Sequence, residues 1–240
     1  MGHSPEQIAG RLALEHGRTI ISHESIYRFV YHRTGQKDYW HRLLPRAKSR
    51  RGKLGKRGGS PASFIKARRP LSQRPIEALN RNTPGHWEAD LMAFSRPGQY
   101  VLVTHERTSR RLDVKHLPAK TAELVCQKLI AQFADLPRNL RRTLTFDNGT
   151  EFALHYKLTQ QLGLDTFFCD PHAPWQKGGI ENANGRMRRT LPRKTDLSLI
   201  SPDQLNALVE AYNNTPRKCL AFRTPNEVFS RISKHVALQT

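Results

Sequence analysis

Three acidic residues sit in contexts that can bring them to one point: Asp90 in GHWEADL, Asp147 in TFDNGTEF and Glu181 in KGGIENANGRMRR, with thirty-three residues between the last two. Carboxylates gathered at one place repel each other strongly unless a cation lies between them. Two aspartates and a glutamate form a hard, all-oxygen donor set that favours Mg²⁺ or Mn²⁺ over zinc. A pair of such ions suits phosphodiester chemistry, one serving the attacking oxygen and the other the leaving oxygen.

The neighbouring residues fit that chemistry. Asn148-Gly149 after Asp147 makes a turn that lets backbone approach a ligand. Lys177, Gly178 and Gly179 precede the Glu181 segment, and a helix starting there offers its N-terminus to a phosphate. Trp175 offers a stacking surface for an unpaired base, and Arg186, Arg188, Arg189 and Arg193 extend a cationic track. Glu88 alternates onto the Asp90 face, as an outer partner of the site or a substitute ligand, and His172 stands close enough in sequence to orient water. Each residue taken alone has a plainer reading: a turn aspartate, a surface glutamate, a packing tryptophan. Their combination favours an enzyme.

Charge points to the partner. The 240 residues carry 40 Lys and Arg against 20 acidic residues, a formal net charge of +20. Such an excess opposes compaction by self-repulsion and calls for a polyanion, of which nucleic acid is the leading class. No apolar run is long enough to span a bilayer, and no basic amphipathic segment with a broad apolar face stands out. Cys126, Cys169 and Cys219 lie far apart with no C-x-x-C spacing, which argues against a disulfide scaffold and a zinc site. A DNA-associated protein of a reducing, cytosolic compartment is the expectation.

Pattern locates the helices and strands that carry the acids. Ser4-Pro5-Glu6-Gln7 starts a helix with a capping box, Gly17 breaks it, and Ser22 caps a second helix with Ile26, Phe29 and Val30 on its apolar side. Residues 1–32 are thus read as a DNA-binding helix-turn-helix, with a packing hairpin as the alternative. Residues 33–84 read as a basic linker, in which Arg42, Arg46, Lys48, Arg50, Arg51, Lys53, Lys56 and Arg57 are interleaved with glycines and follow a phosphate backbone. From residue 85 to 240 three strands are followed by alternating helices and strands and then by helices alone, a mixed sheet with helices on its faces. One helix is expected over 150–162, one over 179–191 carrying Glu181, and two more starting at Ser201-Pro202 and Thr224-Pro225. The right-handed crossover rule returns the fourth strand beside the first. Asp90 is then mid-strand, and Asp147 ends the neighbouring strand, roughly 4.8 Å away.

On these motifs the chain resembles the DDE transposases of the insertion-sequence-thirty family, with a retroviral-integrase-type, ribonuclease-H-like core. GHWEADL, TFDNGTEF and WQKGGIENANGRMRRTLPRKTDL resemble the family's catalytic signatures, YNNTPRKCLAFRTPNEVF its C-terminal end, and SPEQIAGRL with ISHESIYRFVY its helix-turn-helix. The resemblance implies an α/β fold with a five-stranded mixed sheet, and a metal-binding catalytic triad of Asp90, Asp147 and Glu181. It implies cleavage of DNA at transposon ends by water, then attack of the freed 3′-hydroxyl on target DNA, using the same Mg²⁺ or Mn²⁺ ions. The partners would be terminal inverted repeats and target DNA, with a homo-oligomer assembled on the DNA in the bacterial cytoplasm. Family members usually carry a further helical region upstream of SPEQIAG, so an N-terminally truncated copy is expected. The alternatives are a catalytically idle DNA-binding remnant or repressor of transposition, a stand-alone nuclease, and an integrase of phage or retroelement type.

The charge argument has a direct check. Affinity for duplex DNA, measured by fluorescence anisotropy across a salt series, is expected to fall steeply and log-linearly as neutralised phosphates regain their counterions. A flat salt dependence would remove the polyanion from the reading.

Overall fold

A computed structural model of the protein describes residues 2–32, 38–45, 65–171 and 173–237. Helix α1 (Pro5–His16) begins as its sequence dictates: the Ser4 hydroxyl accepts the Gln7 N–H at 3.2 Å, and the Gln7 side chain accepts the Ser4 N–H at 2.8 Å. Gly17 closes it at φ 67°, a left-handed conformation that glycine adopts freely. Ser22 caps α2 (His23–Tyr31) through the Ser25 N–H at 3.0 Å. Phe29, expected on the apolar side of α2, is instead 65 % exposed, with its ring 6.1 Å from that of Trp40.

The α1 helix is docked on the C-terminal part of the chain. Gln7 Nε2 donates to the Pro216 carbonyl at 2.6 Å, and Arg11 meets Glu227 with two nitrogens at 2.8 and 2.9 Å. Gly10 permits the approach, since a Cβ there would lie 2.4 Å from the Phe222 ring.

The basic linker divides. Arg42 stacks 4.3 Å over the Tyr39 ring, whereas Arg46, Lys48, Arg50, Arg51, Lys53, Lys56 and Arg57 lie outside the described residues. Residues 65–84, assigned to the linker by composition, are packed. Ile65 joins the core, Pro70 bridges Phe168, and Arg69 meets Asp165 at 2.8 Å. This segment ends in the short helix α3 (Glu77–Asn80). The contacts that anchor it, from Ile65, Arg69, Pro70 and Arg74, reach residues far along the chain, so no local periodicity marks them.

The sheet opens with a meander of β1 (His86–Ala93), β2 (Tyr100–Glu106) and β3 (Leu112–Leu117). Helix α4 (Ala122–Ala134), capped by Thr121, carries the chain back so that β4 (Thr143–Phe146) lies parallel to β1. Helix α5 (Tyr156–Leu162) then leads to β5 (Asp165–Phe168), parallel to β4, giving the strand order β3-β2-β1-β4-β5. Helices α6 (Gly178–Met187), α7 (Pro202–Asn213) and α8 (Pro225–Ala237) complete the core.

Strand alternation divides the core between the two faces. Trp87, Ala89, Leu102, Leu144 and Phe146 pack with Leu129 and Phe133 of α4, Leu158 of α5 and Phe229 of α8. Met92, Val101, Val103 and Leu112 lie under Ile180, Ala183 and Met187 of α6 and Val209 of α7. Asp90 shares the parity of Met92, so it projects towards the face that α6 covers.

Two helices differ from their sequence patterns. The stretch expected as one helix over 150–162 is a 3-10 turn (Thr150–Phe152) followed by α5. Phe152 stacks 4.5 Å from Phe146, and buried His155 bonds Thr166 Oγ1 at 2.8 Å, so packing overrides the helical period. The α6 helix stops at Met187 rather than continuing to Leu191, which folds into the core ahead of Pro192.

Trp87 anchors the larger cluster. It is 1 % exposed, its indole N–H donates to the Leu140 carbonyl at 2.8 Å, and its ring meets Phe133 edge-on at 5.2 Å. Trp87→Ala is expected to destabilise the protein by about 3–5 kcal/mol in chemical denaturation. A loss under ~1 kcal/mol would mean that this cluster does not hold the sheet to its helices.

Candidate active site

Backbone register brings the two aspartates together. Strands β1 and β4 pair in parallel as His86 with Thr143, Trp87 with Leu144 and Glu88 with Thr145. Continued two residues further, that register sets Asp147 beside Asp90. One cationic group joins them: Lys177 Nζ lies 3.2 Å from Asp90 Oδ1 and 3.1 Å from Asp147 Oδ2. Asn184 Nδ2 donates to the other Asp90 oxygen at 2.7 Å. The Gly149 N–H donates to Asp147 Oδ1 at 3.0 Å, closing the turn expected from Asn148-Gly149, while Asn148 itself donates to the Cys169 carbonyl at 3.0 Å.

The electrostatics arise from this packing. Burial pushes the Asp90 carboxyl above the usual carboxylate range, against the pull of Lys177, with the Asp147 charge acting in the same direction as burial. Burial alone would depress the Lys177 ammonium, but the two carboxylates outweigh it and hold it above its ordinary value. Lys177 is therefore charged throughout the physiological range.

Glu181 stands on α6 between the two residues that reach Asp90. It lies three residues before Asn184, on the same side of α6, and four after Lys177, which ends the 3-10 turn leading into the helix. Its own side chain is exposed and makes no bond to either aspartate, and no group of three His, Cys, Asp or Glu side chains closes into a metal cage among the described residues. The fold thus joins Asp90 and Asp147 directly and sets Glu181 on the adjoining helix.

Comparison with known proteins agrees with this architecture. The integrase core domain family matches residues 80–174, a span that includes Asp90 and Asp147. The transposase InsI of insertion sequence IS30A from Escherichia coli is 36 % identical over 240 residues, covering 96 % of this chain and 62 % of that protein. The transposase of insertion sequence IS4351 from Bacteroides fragilis is 33 % identical over 231 residues, covering 96 % of this chain and 70 % of its own. The chain belongs to the IS30 family of insertion-sequence transposases. It spans about 62 % of the length of the IS30A protein. The crystal structure of the catalytic core domain of BIV integrase superimposes with a TM-score of 0.50 at 20 % identity, covering 64 % of this chain and 98 % of that one. That likeness places the sheet and its helices in the integrase, ribonuclease-H-like fold.

Within this transposase-family core, Glu88 has a fixed structural place. It is 1 % exposed, forms an ion pair with buried Arg107, and accepts the Ile180 N–H at 2.8 Å. His105, whose Nδ1 is 3.9 Å away, is pushed down to about 3 by burial and the surrounding arginines, so Arg107 is the cation that balances Glu88. Glu88 thereby occupies the first turn of α6. By its sequence that helix N-terminus was open to a phosphate; the Ile180 N–H is instead satisfied from inside the protein.

The remaining site residues separate into exposed and packed groups. Trp175 is 75 % exposed, so it is no packing anchor. Arg186 and Arg189 line a cleft of about 240 Å³ with Arg42 and Arg217. Arg188 turns away from that track, donating to the Ala93 carbonyl at 2.8 Å and lying 4.6 Å over the Phe94 ring. Arg193 is exposed, and His172 lies outside the described residues. Sequence reasoning missed Asn184, Arg107 and Arg217. Asn184 carried a signal, its spacing of three from Glu181; Arg107 and Arg217 carried none, because their partners are remote in sequence.

Two adjacent glycines test how closely α6 is seated. A Cβ on Gly179 would lie 2.7 Å from Glu88 Oε2, whereas one on Gly178 would meet nothing within 4 Å. Gly179→Ala is expected to lower stability by about 1–3 kcal/mol, and Gly178→Ala to be neutral within ~0.5 kcal/mol. Equal melting temperatures for the two variants would contradict the close seating of α6 on Glu88.

Proposed function

We propose that this protein is a DNA transposase that cleaves transposon ends and transfers them to target DNA, with Asp90, Asp147 and Glu181 as its catalytic carboxylates. The observation that carries this reading is the pair of in-register aspartates sharing one cation, with Glu181 on the helix that follows the turn supplying it.

Divalent ions fit these residues on two grounds. The space between Asp90 and Asp147 already accommodates a positive charge, that of Lys177, at 3.1 and 3.2 Å. Beside Asp90, the Asn184 Oδ1 is buried without a hydrogen-bond partner among the described residues, which adds a free oxygen to an all-oxygen set. Asp90 and Asp147 would hold Mg²⁺ or Mn²⁺, two ions in all, with Glu181 closing the set from α6. Bound there, the ions would supply charge for the attacking and leaving oxygens of an in-line displacement.

The chain's own residues do the rest. In the first step water attacks a phosphorus, the P–O3′ bond breaks, and a 3′-hydroxyl is released. In the second, that hydroxyl attacks a target phosphorus, and one phosphodiester bond replaces another. No protein nucleophile is needed. Strand-borne Asp90 fixes one side of the site, because the sheet permits it little freedom. Trp175 offers an exposed ring to an unpaired end base. The cleft of Arg42, Arg186, Arg189 and Arg217 receives backbone phosphate, with Arg193 and the basic residues from Arg46 to Arg57 extending the track. Residues 1–32 act as the helix-turn-helix that recognises terminal inverted repeats, and the active species is a homo-oligomer on DNA in the bacterial cytoplasm. Among the described residues no helix is long and apolar enough to cross a membrane.

The test uses purified protein, Mg²⁺ or Mn²⁺, and DNA bearing the element's terminal repeats, with nicking and strand joining read on gels. Asp147→Asn and Glu181→Gln are expected to abolish both while DNA binding stays equal or tightens, because repulsion of phosphate falls. Normal cleavage by Asp147→Asn removes the site assignment. Binding by the wild type without nicking or joining favours the repressor reading instead.

A further inference from the structure

Lys177 is a fixed cation in the place where the proposed site needs a removable one. Its ammonium touches one oxygen of each aspartate, and its side chain is only 7 % exposed. The backbone beneath it is anchored. Lys177 ends the 3-10 turn Pro174–Lys177, and the Gln176 side chain ties that turn to Asp170, accepting its N–H at 2.7 Å and donating to Oδ2 at 2.8 Å. The side chain is a flexible stem whose head can leave while its base stays.

Charge governs whether the head stays. Asp90 and Asp147 bring two negative charges to neighbouring strands, and Glu88 is already balanced by Arg107. Lys177 is thus the cation that neutralises half of the aspartate pair. An ammonium and a divalent ion held on the same carboxylate oxygens repel each other at contact distance in a partly dry site, so the two compete for the aspartate pair.

We infer that Lys177 is an internal counter-ion that holds the Asp90–Asp147 pair in place and that a divalent cation must displace, so that it sets the metal affinity of the site. The inference rests on the proposed reading of the two aspartates as metal ligands. It predicts opposite effects from one substitution. Removing the ammonium deprives the metal-free protein of its counter-ion, and the same change relieves the metal of its competitor.

Isothermal titration of the full chain with Mn²⁺, paired with melting curves in its presence and absence, tests this. Lys177→Met is expected to lower the Mn²⁺ Kd by about tenfold or more, to lower the melting temperature without metal, and to recover it when Mn²⁺ is saturating. Lys177→Arg keeps the charge and is expected to bind Mn²⁺ about as the wild type does. Should Lys177→Met not fold, Lys177→Gln removes the charge while keeping a hydrogen-bonding head, and is read in the same titration. An unchanged or raised Kd in the neutral variants overturns the counter-ion role. Asp147→Asn separates the two levels: if it binds Mn²⁺ like the wild type, the metal reading itself fails; if it loses Mn²⁺ while the neutral Lys177 variants do not gain, only the counter-ion role fails.

Discussion

Two like charges held side by side, one within β1 and one just past the end of β4, are the constraint around which the rest of this core is arranged. Parallel pairing of β1 with β4 fixes the backbone positions of Asp90 and Asp147, and a one-residue slip between them would put the two side chains on opposite faces. Repulsion between them has to be met locally. Lys177 meets it with charge and Asn184 with an amide hydrogen bond, and both come from α6 or the turn that leads into it. A site built on strands and a helix in this way is more sharply defined than one built on loops.

The seating of α6 is the second condition. Glu88 projects from the same strand face as Asp90, and it reaches the helix's first turn through the Ile180 N–H. Arg107 balances its charge and also donates to the Ala78 carbonyl of α3, which links the packed end of the linker to the site. A buried pair of this kind is weak evidence for net stability, yet removing one partner strands the other, which makes it an effective positional lock. Gly179 completes the fit, since only a residue without a Cβ lets the helix come so close to Glu88.

The N-terminal helices are joined to the same body. Gln7 and Arg11 bind Pro216 and Glu227, so α1 is docked on the segment after α7 and on α8. The cleft lined by Arg42, Arg186, Arg189 and Arg217 lies where the segment after α2 meets the end of α6.

Much of this was legible in the residues. Capping boxes and Pro placement located α1, α7 and α8, and alternation separated the faces of β1 and set Asp90 opposite Trp87 and Ala89. Those signals are local, decided by hydrogen bonds and periodicity within a few residues. Only the tertiary structure decided that Lys177 lies between two carboxylates, that Glu88 is bound to α6, that Arg188 packs back on β1, and that Ile65 joins the core. Each of these depends on partners tens of residues away. A charged side chain takes whichever countercharge the fold brings near, and no local pattern records that choice.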